Sequence, residues 1–129
     1  MSAATFGAAV NCMDGRVQTG VTAFLKKRFG VAYVDMITEP GPNRILGEQT
    51  DLHAVSSILR RLDISVRQHG ARGIAVVGHE DCAGNPADRQ VQTMHLRKAV
   101  AFLRARYASP PIIALWADTK GAVEEIAAG

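Results

Sequence analysis

Five residues in two short clusters carry the chemistry open to this sequence. Cys12, Asp14 and Arg16 stand in Cys12-Met13-Asp14-Gly15-Arg16, and His79 and Cys82 in His79-Glu80-Asp81-Cys82. Two thiols and an imidazole are donors that favour zinc over magnesium or calcium. Three such donors make a tetrahedral site with one position open, the pattern of a catalytic zinc rather than a structural one. The chain has only two cysteines, so a four-ligand cysteine-rich site is excluded. In a reducing compartment two cysteines are expected as thiols or metal ligands rather than a disulfide. Asp14 lies two residues past Cys12 on the same turn, placed either to take the open position or to hydrogen-bond to a water there. Arg16, two residues further on, can hold that carboxylate ionised and draw it off the metal through a bidentate pair. The nucleophile such a set supplies is an oriented metal hydroxide.

These clusters need strand ends to present them, and the sequence provides strands and helices in alternation. Phe6 to Asn11 is an apolar run that stops at the first cluster and reads as a buried strand followed by a turn. Val17, Val21, Phe24 and Leu25 recur at helical spacing up to Gly30, and Val31 to Ile37 reads as a second strand. Glu39-Pro40-Gly41-Pro42-Asn43 is punctuated as a loop. The clearest helix follows, with Leu52, Val55, Leu59, Leu62 and Val66 in one apolar stripe, an N-cap at Thr50 or Asp51 and a stop at Gly70. Gly73 to Gly78 encloses a buried strand that delivers the second cluster. After a loop at Gly84-Asn85-Pro86, Thr93 opens a helix striped by Leu96, Val100, Leu103 and Tyr107. Ile112 to Trp116 is a fourth strand, and Ala122 to Ile126 a short edge strand after the Asp118-Thr119-Lys120-Gly121 turn.

The alternation predicts an α/β fold: a single domain over residues 1–129 with a mostly parallel central sheet of about four strands flanked by helices, and a short C-terminal edge strand. In such sheets ligands bind beyond the carboxyl ends of strands, where the strand order reverses. If the first and third strands are neighbours, Cys12 and His79 emerge at one rim, with Cys82 one turn of chain away.

Composition narrows the partners. With 47% hydrophobic and 21% charged residues over 129 positions, the chain has the make-up of one ordered globular domain. Its longest apolar runs, such as Ile74 to Val77 and Ile112 to Trp116, are far too short to cross a bilayer, so no membrane partner is expected. Met1 to Val10 lacks a basic n-region and a cleavage pattern, which makes a cytoplasmic protein the expectation. The net charge of +3 is spread over Lys26-Lys27-Arg28, Arg60-Arg61 and Arg97-Lys98, and only 5% of residues are aromatic. Those are solvated helix faces, and no nucleic-acid partner is expected.

Taken together, the two clusters resemble the β-class carbonic anhydrases, which carry a C-x-D-x-R motif after the first strand and an H-x-x-C motif after a later one. Either motif alone is weak. Their order, their strand-end setting and the 62 residues between Arg16 and His79 make the pair specific. The resemblance covers the intervening helix and strand and, more loosely, the final strand and hairpin. It implies that Cys12, His79 and Cys82 hold Zn2+, that Asp14 accepts a hydrogen bond from the metal's water, and that Arg16 pairs with Asp14. It further implies reversible hydration of carbon dioxide to bicarbonate by a homodimer or higher homo-oligomer. Three departures stand out: 11 residues precede Cys12 where typical members begin with helices that wrap a partner chain, Thr38-Glu39-Pro40-Gly41 replaces an R-N-x-G-like segment, and Ala83 replaces a glycine.

Two other functions fit the same clusters. One keeps the fold and metal but hydrolyses carbonyl sulfide or carbon disulfide, as some relatives of that family do. The other is a zinc-binding module without catalysis, dimerising or regulatory in role. The remaining polar residues have plainer readings: Glu80 and Asp81 as solvated or capping groups, and His53, His69 and His95 as surface or packing residues. Trp116 reads as core, while Asn43 and Arg44 are candidates to line the pocket.

Overall fold

The structure, a computed structural model, describes residues 4–129; residues 1–3 of the N-terminal run Met1–Val10 lie outside the described residues. The first apolar run extends one residue further than its composition suggests, as β1 (Phe6–Cys12), buried beyond Phe6. A 3-10 turn (Gly15–Val17) leads into α1 (Gln18–Phe29), which buries Val21 and Leu25. Gly30 closes α1 in the left-handed conformation, φ 63°, where its missing Cβ avoids strain. Val31 N–H is still bonded to Lys26 in that cap, so β2 (Tyr33–Glu39) begins two residues later than predicted.

The expected loop at Glu39–Asn43 is shorter than its prolines suggest. Gly41, again left-handed, and Pro42 at the first helical position start α2 (Pro42–Glu48). Asp51 caps α3 (Leu52–Asp63) by accepting from Ala54 N–H at 3.1 Å. The buried stripe of α3 is Val55, Ile58 and Leu62; Leu52 points to solvent and Leu59 is half-buried. A π-helical turn (Ile64–Gln68) continues α3, so the regular spacing breaks and Ser65 faces inward. Then come β3 (Ile74–His79), α4 (Arg89–Arg106), β4 (Ile112–Ala117) and β5 (Val123–Ile126). The start of α4 lies four residues before the expected Thr93, because Asp88 accepts from Val91 N–H at 2.9 Å.

The five strands form one sheet in the order β2-β1-β3-β4-β5, parallel except for β5. The single α/β domain with a C-terminal edge strand is therefore the one expected, and the structure adds that this strand runs antiparallel. Alternate residues of β1 feed two apolar layers, as a pleated strand requires. Ala8 and Val10 join Leu46, Ile58, Leu62, Leu96 and Leu103 beneath α2, α3 and α4. Ala9 joins Val21, Leu25, Val77 and Leu115 beneath α1. Strands β1 and β3 are neighbours, but they pair only from Ala8↔Ile74 to Val10↔Val76. Beyond that register they part, and the chain order reverses about them. That is where an open α/β sheet forms its crevice. No helix among the described residues is long and apolar enough to cross a membrane.

Candidate metal centre

Cys12 is the last residue of β1 and His79 the last of β3, so each side chain is fixed by a strand end at the crevice. The loop after β3 returns Cys82 to the same place. Their ligand atoms all lie within 4.8 Å of one another, and all three residues are buried; the group can hold a metal ion. Both cysteines are free, with the two Sγ atoms 3.8 Å apart. His79 Nδ1 stands 2.7 Å from the Glu80 carbonyl. A carbonyl only accepts, so the ring proton sits on Nδ1 and Nε2 carries the lone pair. That Nε2 is buried without a hydrogen-bond partner. An unsatisfied buried acceptor costs about 1–3 kcal/mol, which a bound cation relieves.

The electrostatics point the same way. Burial pushes the Cys12 thiol up, but the adjacent His79 imidazole and the backbone N–H groups of Gly41 and Asp14 outweigh it and bring the pKa down to about 7. Burial and the charge of Cys12 push the Cys82 thiol up. For His79, burial favours the neutral ring, yet the sulfur of Cys12 beside it raises the pKa on balance. Two thiolates side by side repel each other, so a divalent cation is the partner that lets both ionise.

Asp14 and Arg16 sit at the mouth of this group. Asp14 Oδ1 accepts from Arg16 N–H at 2.9 Å and Nε at 3.1 Å, and Oδ2 accepts from Nη2 at 2.7 Å. The Arg16 guanidinium holds the Asp14 carboxyl down at about 2. Arg16 also reaches Asp81 Oδ2 and the Asp81 carbonyl, each at 3.3 Å, and so bridges the two sequence clusters. Asp81 takes a left-handed φ of 55° in that turn. An open depression of about 560 Å³ lies here, lined by Asp14, Arg16, Asp81, Cys82, Ala83 and Asp88.

The polar residues with plainer readings fall as follows. Glu80 turns away and accepts from Thr119 N–H and Oγ1 at 2.9 and 3.0 Å, pinning the β4–β5 turn. Asn43 is fully buried in a hydrogen-bond network rather than facing the depression, and Arg44 pairs with Glu48 on the surface. His53 is exposed, His69 bonds Asp35 and stacks on Phe6, and His95 contacts Asn85. Trp116 is buried, with the Arg89 guanidinium over its ring.

Sequence reasoning passes over Asp81 as a partner of Arg16, and over Asn85 and Gln92 as buried polar groups. Gln92 had a signal: it precedes Leu96 by four on the buried stripe of α4. The turn itself depends on glycine. At Gly84 a Cβ would come within 2.3 Å of the Pro40 carbonyl carbon, and at Gly41 within 2.7 Å of the Gly84 carbonyl carbon. The two backbones cross in contact, and the glycine demand falls at Gly84 rather than at Ala83.

Solved structures that share this architecture include three described as carbonic anhydrases. The β-carbonic anhydrase CafA of Aspergillus fumigatus matches with a TM-score of 0.63 at 12% identity, covering 98% of this chain and 76% of that one. A carbonic anhydrase from Glaciozyma antarctica matches at 0.61 and 20% identity, covering 93% and 80%. A tetrameric β-carbonic anhydrase of Sordaria macrospora matches at 0.62 and 11% identity, covering 98% and 82%. At such identities the likeness establishes the fold. No curated protein matches the sequence. The family model described as "Putative carbonic anhydrase" matches residues 2–127, nearly the whole chain, and the chain belongs to that family.

Proposed function

We propose that this chain is a zinc-dependent carbonic anhydrase that interconverts carbon dioxide and bicarbonate. The observation that carries this reading is the convergence of Cys12 Sγ, Cys82 Sγ and the unpartnered Nε2 of His79. Two sulfur ligands of a tetrahedral zinc, each about 2.3 Å from the ion, stand about 3.8 Å apart. Cys12 and Cys82 stand at that separation, 3.8 Å. When held by these three side chains, zinc supplies the Lewis acidity that makes water nucleophilic near neutral pH.

The chain's own residues do the rest. Asp14, ionised across the neutral range, only accepts hydrogen bonds, so it fixes an O–H donor in the depression and sets where the oxygen lone pair points. Arg16 occupies both oxygens of Asp14 and thereby keeps the carboxylate from becoming a fourth ligand. A reducing, cytoplasmic setting suits two cysteines kept as thiolate ligands. A homo-oligomer suits the outer edge of β2, which has no strand partner among the described residues and exposes Tyr33. Sedimentation analysis tests that assembly.

The activity is tested by metal content together with stopped-flow carbon dioxide hydration, on the parent and on Asp14→Asn. The expected result is one zinc per chain, hydration by the parent, and a loss of about 100-fold in Asp14→Asn. Stoichiometric zinc without hydration from neutral to alkaline pH overturns the activity. Full hydration by Asp14→Asn overturns the role given to that carboxylate.

A further inference from the structure

We propose that Gln92 is a positioning residue of the metal centre, fixing His79 against the loop that carries Cys82; this rests on the zinc reading above. Gln92 lies in the first turn of α4 and is fully buried, on the same stripe as Leu96, Ala99 and Leu103. A carboxamide among apolar neighbours is tolerated only when its polar atoms are bonded. Here they are. Nε2 donates to the carbonyls of His79 at 2.8 Å, Ala87 at 3.2 Å and Asn85 at 3.3 Å. Oε1 accepts from Asn43 Nδ2 at 3.1 Å and from His79 N–H at 3.3 Å.

One side chain thus holds both backbone polar groups of His79, as the peptide of a neighbouring strand would. The sheet leaves that task open. β1 pairs with β3 no further than Val10↔Val76, and on the other side β4 takes the next N–H, with Glu80 bonding the Ala117 carbonyl at 3.2 Å. Gly78 makes the room, since a Cβ there would meet Gln92 Oε1 at 3.1 Å and Asn43 Nδ2 at 3.0 Å. The same amide grips the loop at Asn85 and Ala87, just past Cys82. Asn43 ties both to the first turn of α2, beside Gly41. Gln92 therefore acts on the ligands through backbone: it sets where His79 and the Cys82 loop stand relative to each other. Glutamate lacks the donors and leucine lacks everything but volume.

The experiment measures zinc affinity by chelator competition, and the absorption spectrum of the cobalt-substituted protein, in the parent, Gln92→Met and Leu103→Ala. Met keeps the volume and removes the bonds. Leu103→Ala destabilises the same helix away from the centre. The expected result is a zinc Kd raised about 10–100-fold in Gln92→Met, with altered cobalt bands, and a Kd changed by less than about twofold in Leu103→Ala. All are read at a temperature where each protein is folded. If Gln92→Met does not fold, Gln92→Asn, whose amide is one methylene short, is judged by the same values. A Kd at the parent's level in the Gln92 variant overturns the proposal, and so does an equal rise in Leu103→Ala. A parent that takes up no zinc overturns the function itself, an outcome distinct from a parent and variant that bind equally well.

Discussion

Replacing Gly84 with alanine asks whether the centre depends on the crossing of two backbones. The added Cβ would lie 2.3 Å from the Pro40 carbonyl carbon, 2.6 Å from its oxygen and 2.7 Å from the Gly41 nitrogen. Ordinary contact begins at 3.4 Å, so the two segments must part by about 1 Å, and every obstructing atom is backbone. Overpacking of this kind costs about 1–3 kcal/mol, and the upper end applies because no side chain can swing aside. Alanine regains about 0.4–1 kcal/mol by restricting the unfolded chain, which leaves a net loss of about 2 kcal/mol. For 129 residues that lowers Tm by about 7 °C. The same displacement moves the Gly41 N–H away from the Cys12 sulfur and shifts the segment two residues past Cys82, so zinc affinity falls by about tenfold. Calorimetry of the metal-free protein and chelator competition read the two effects separately. Ala83→Gly, at an exposed neighbour, is the control and costs at most about 1 kcal/mol. A Gly84→Ala protein with the parent's melting temperature and the parent's zinc affinity would refute the crossing as a constraint.

Two further outcomes follow from the same structure. Removing the metal with a chelator leaves the fold standing, because the larger apolar layer, beneath α2, α3 and α4, contains none of the three ligands; circular dichroism stays native, and added zinc raises Tm with concentration. Collapse of the spectrum on chelation would show instead that the metal builds the fold. At the far ends of α3 and α4, Arg106 Nη2 donates to Asp63 Oδ2 at 2.8 Å and Tyr107 donates its hydroxyl to Oδ1, and chiefly the Arg106 bond holds the Asp63 carboxyl below its usual range. Such a carboxylate stabilises the fold above its unfolded-state pKa and loses that effect as pH falls through the folded value. Asp63→Asn therefore lowers stability by about 1 kcal/mol at about pH 7 and by little at about pH 2, measured by urea unfolding; equal losses at both would contradict the assignment.

The sequence exposes the donors readily and their supports poorly, for a physical reason. Thiol and imidazole chemistry belongs to residue type, so Cys12, His79 and Cys82 stand out wherever they lie. The strand ends that carry them are marked by where the apolar runs of β1 and β3 stop. By contrast, α2 has only seven residues and includes Gly47, too few for a helical period to show; the pairing of Gly41 with Pro42 was the available sign. The π-helical turn after Asp63 carries Ser65, which bonds Asp35 across to β2 at 2.7 Å, a tertiary contact that no local pattern reveals. Asn43 reads as a pocket-lining candidate and Gln92 shows only its place on the α4 stripe; that the two are buried together and bonded to each other emerges only in the folded network.

The segment Thr38-Glu39-Pro40-Gly41, which stands where the resemblance leads one to expect an R-N-x-G-like run, shows what the centre requires of its surroundings. Thr38 and Glu39 end β2 opposite Asn11 and Cys12 of β1, with Met13 N–H donating to the Glu39 carbonyl at 3.0 Å. From the helix layer, Arg61 of α3 pairs with the Glu39 carboxylate and reaches the Thr38 carbonyl at 3.5 Å. Toward the centre the segment presents backbone groups: the Glu39 carbonyl that holds Met13, and the Gly41 N–H that lowers the Cys12 thiol. That N–H is delivered by a left-handed glycine, φ 62°, seated against the backbone of Gly84. A side chain at Gly41 would be strained twice, by its dihedral and by the crossing. Of the preceding side chains, that of Glu39 turns to Arg61 and that of Pro40 is exposed. The intolerance predicted at Gly84 has the same origin: the centre is shaped here by backbone groups, and only glycine lets the two backbones come that close.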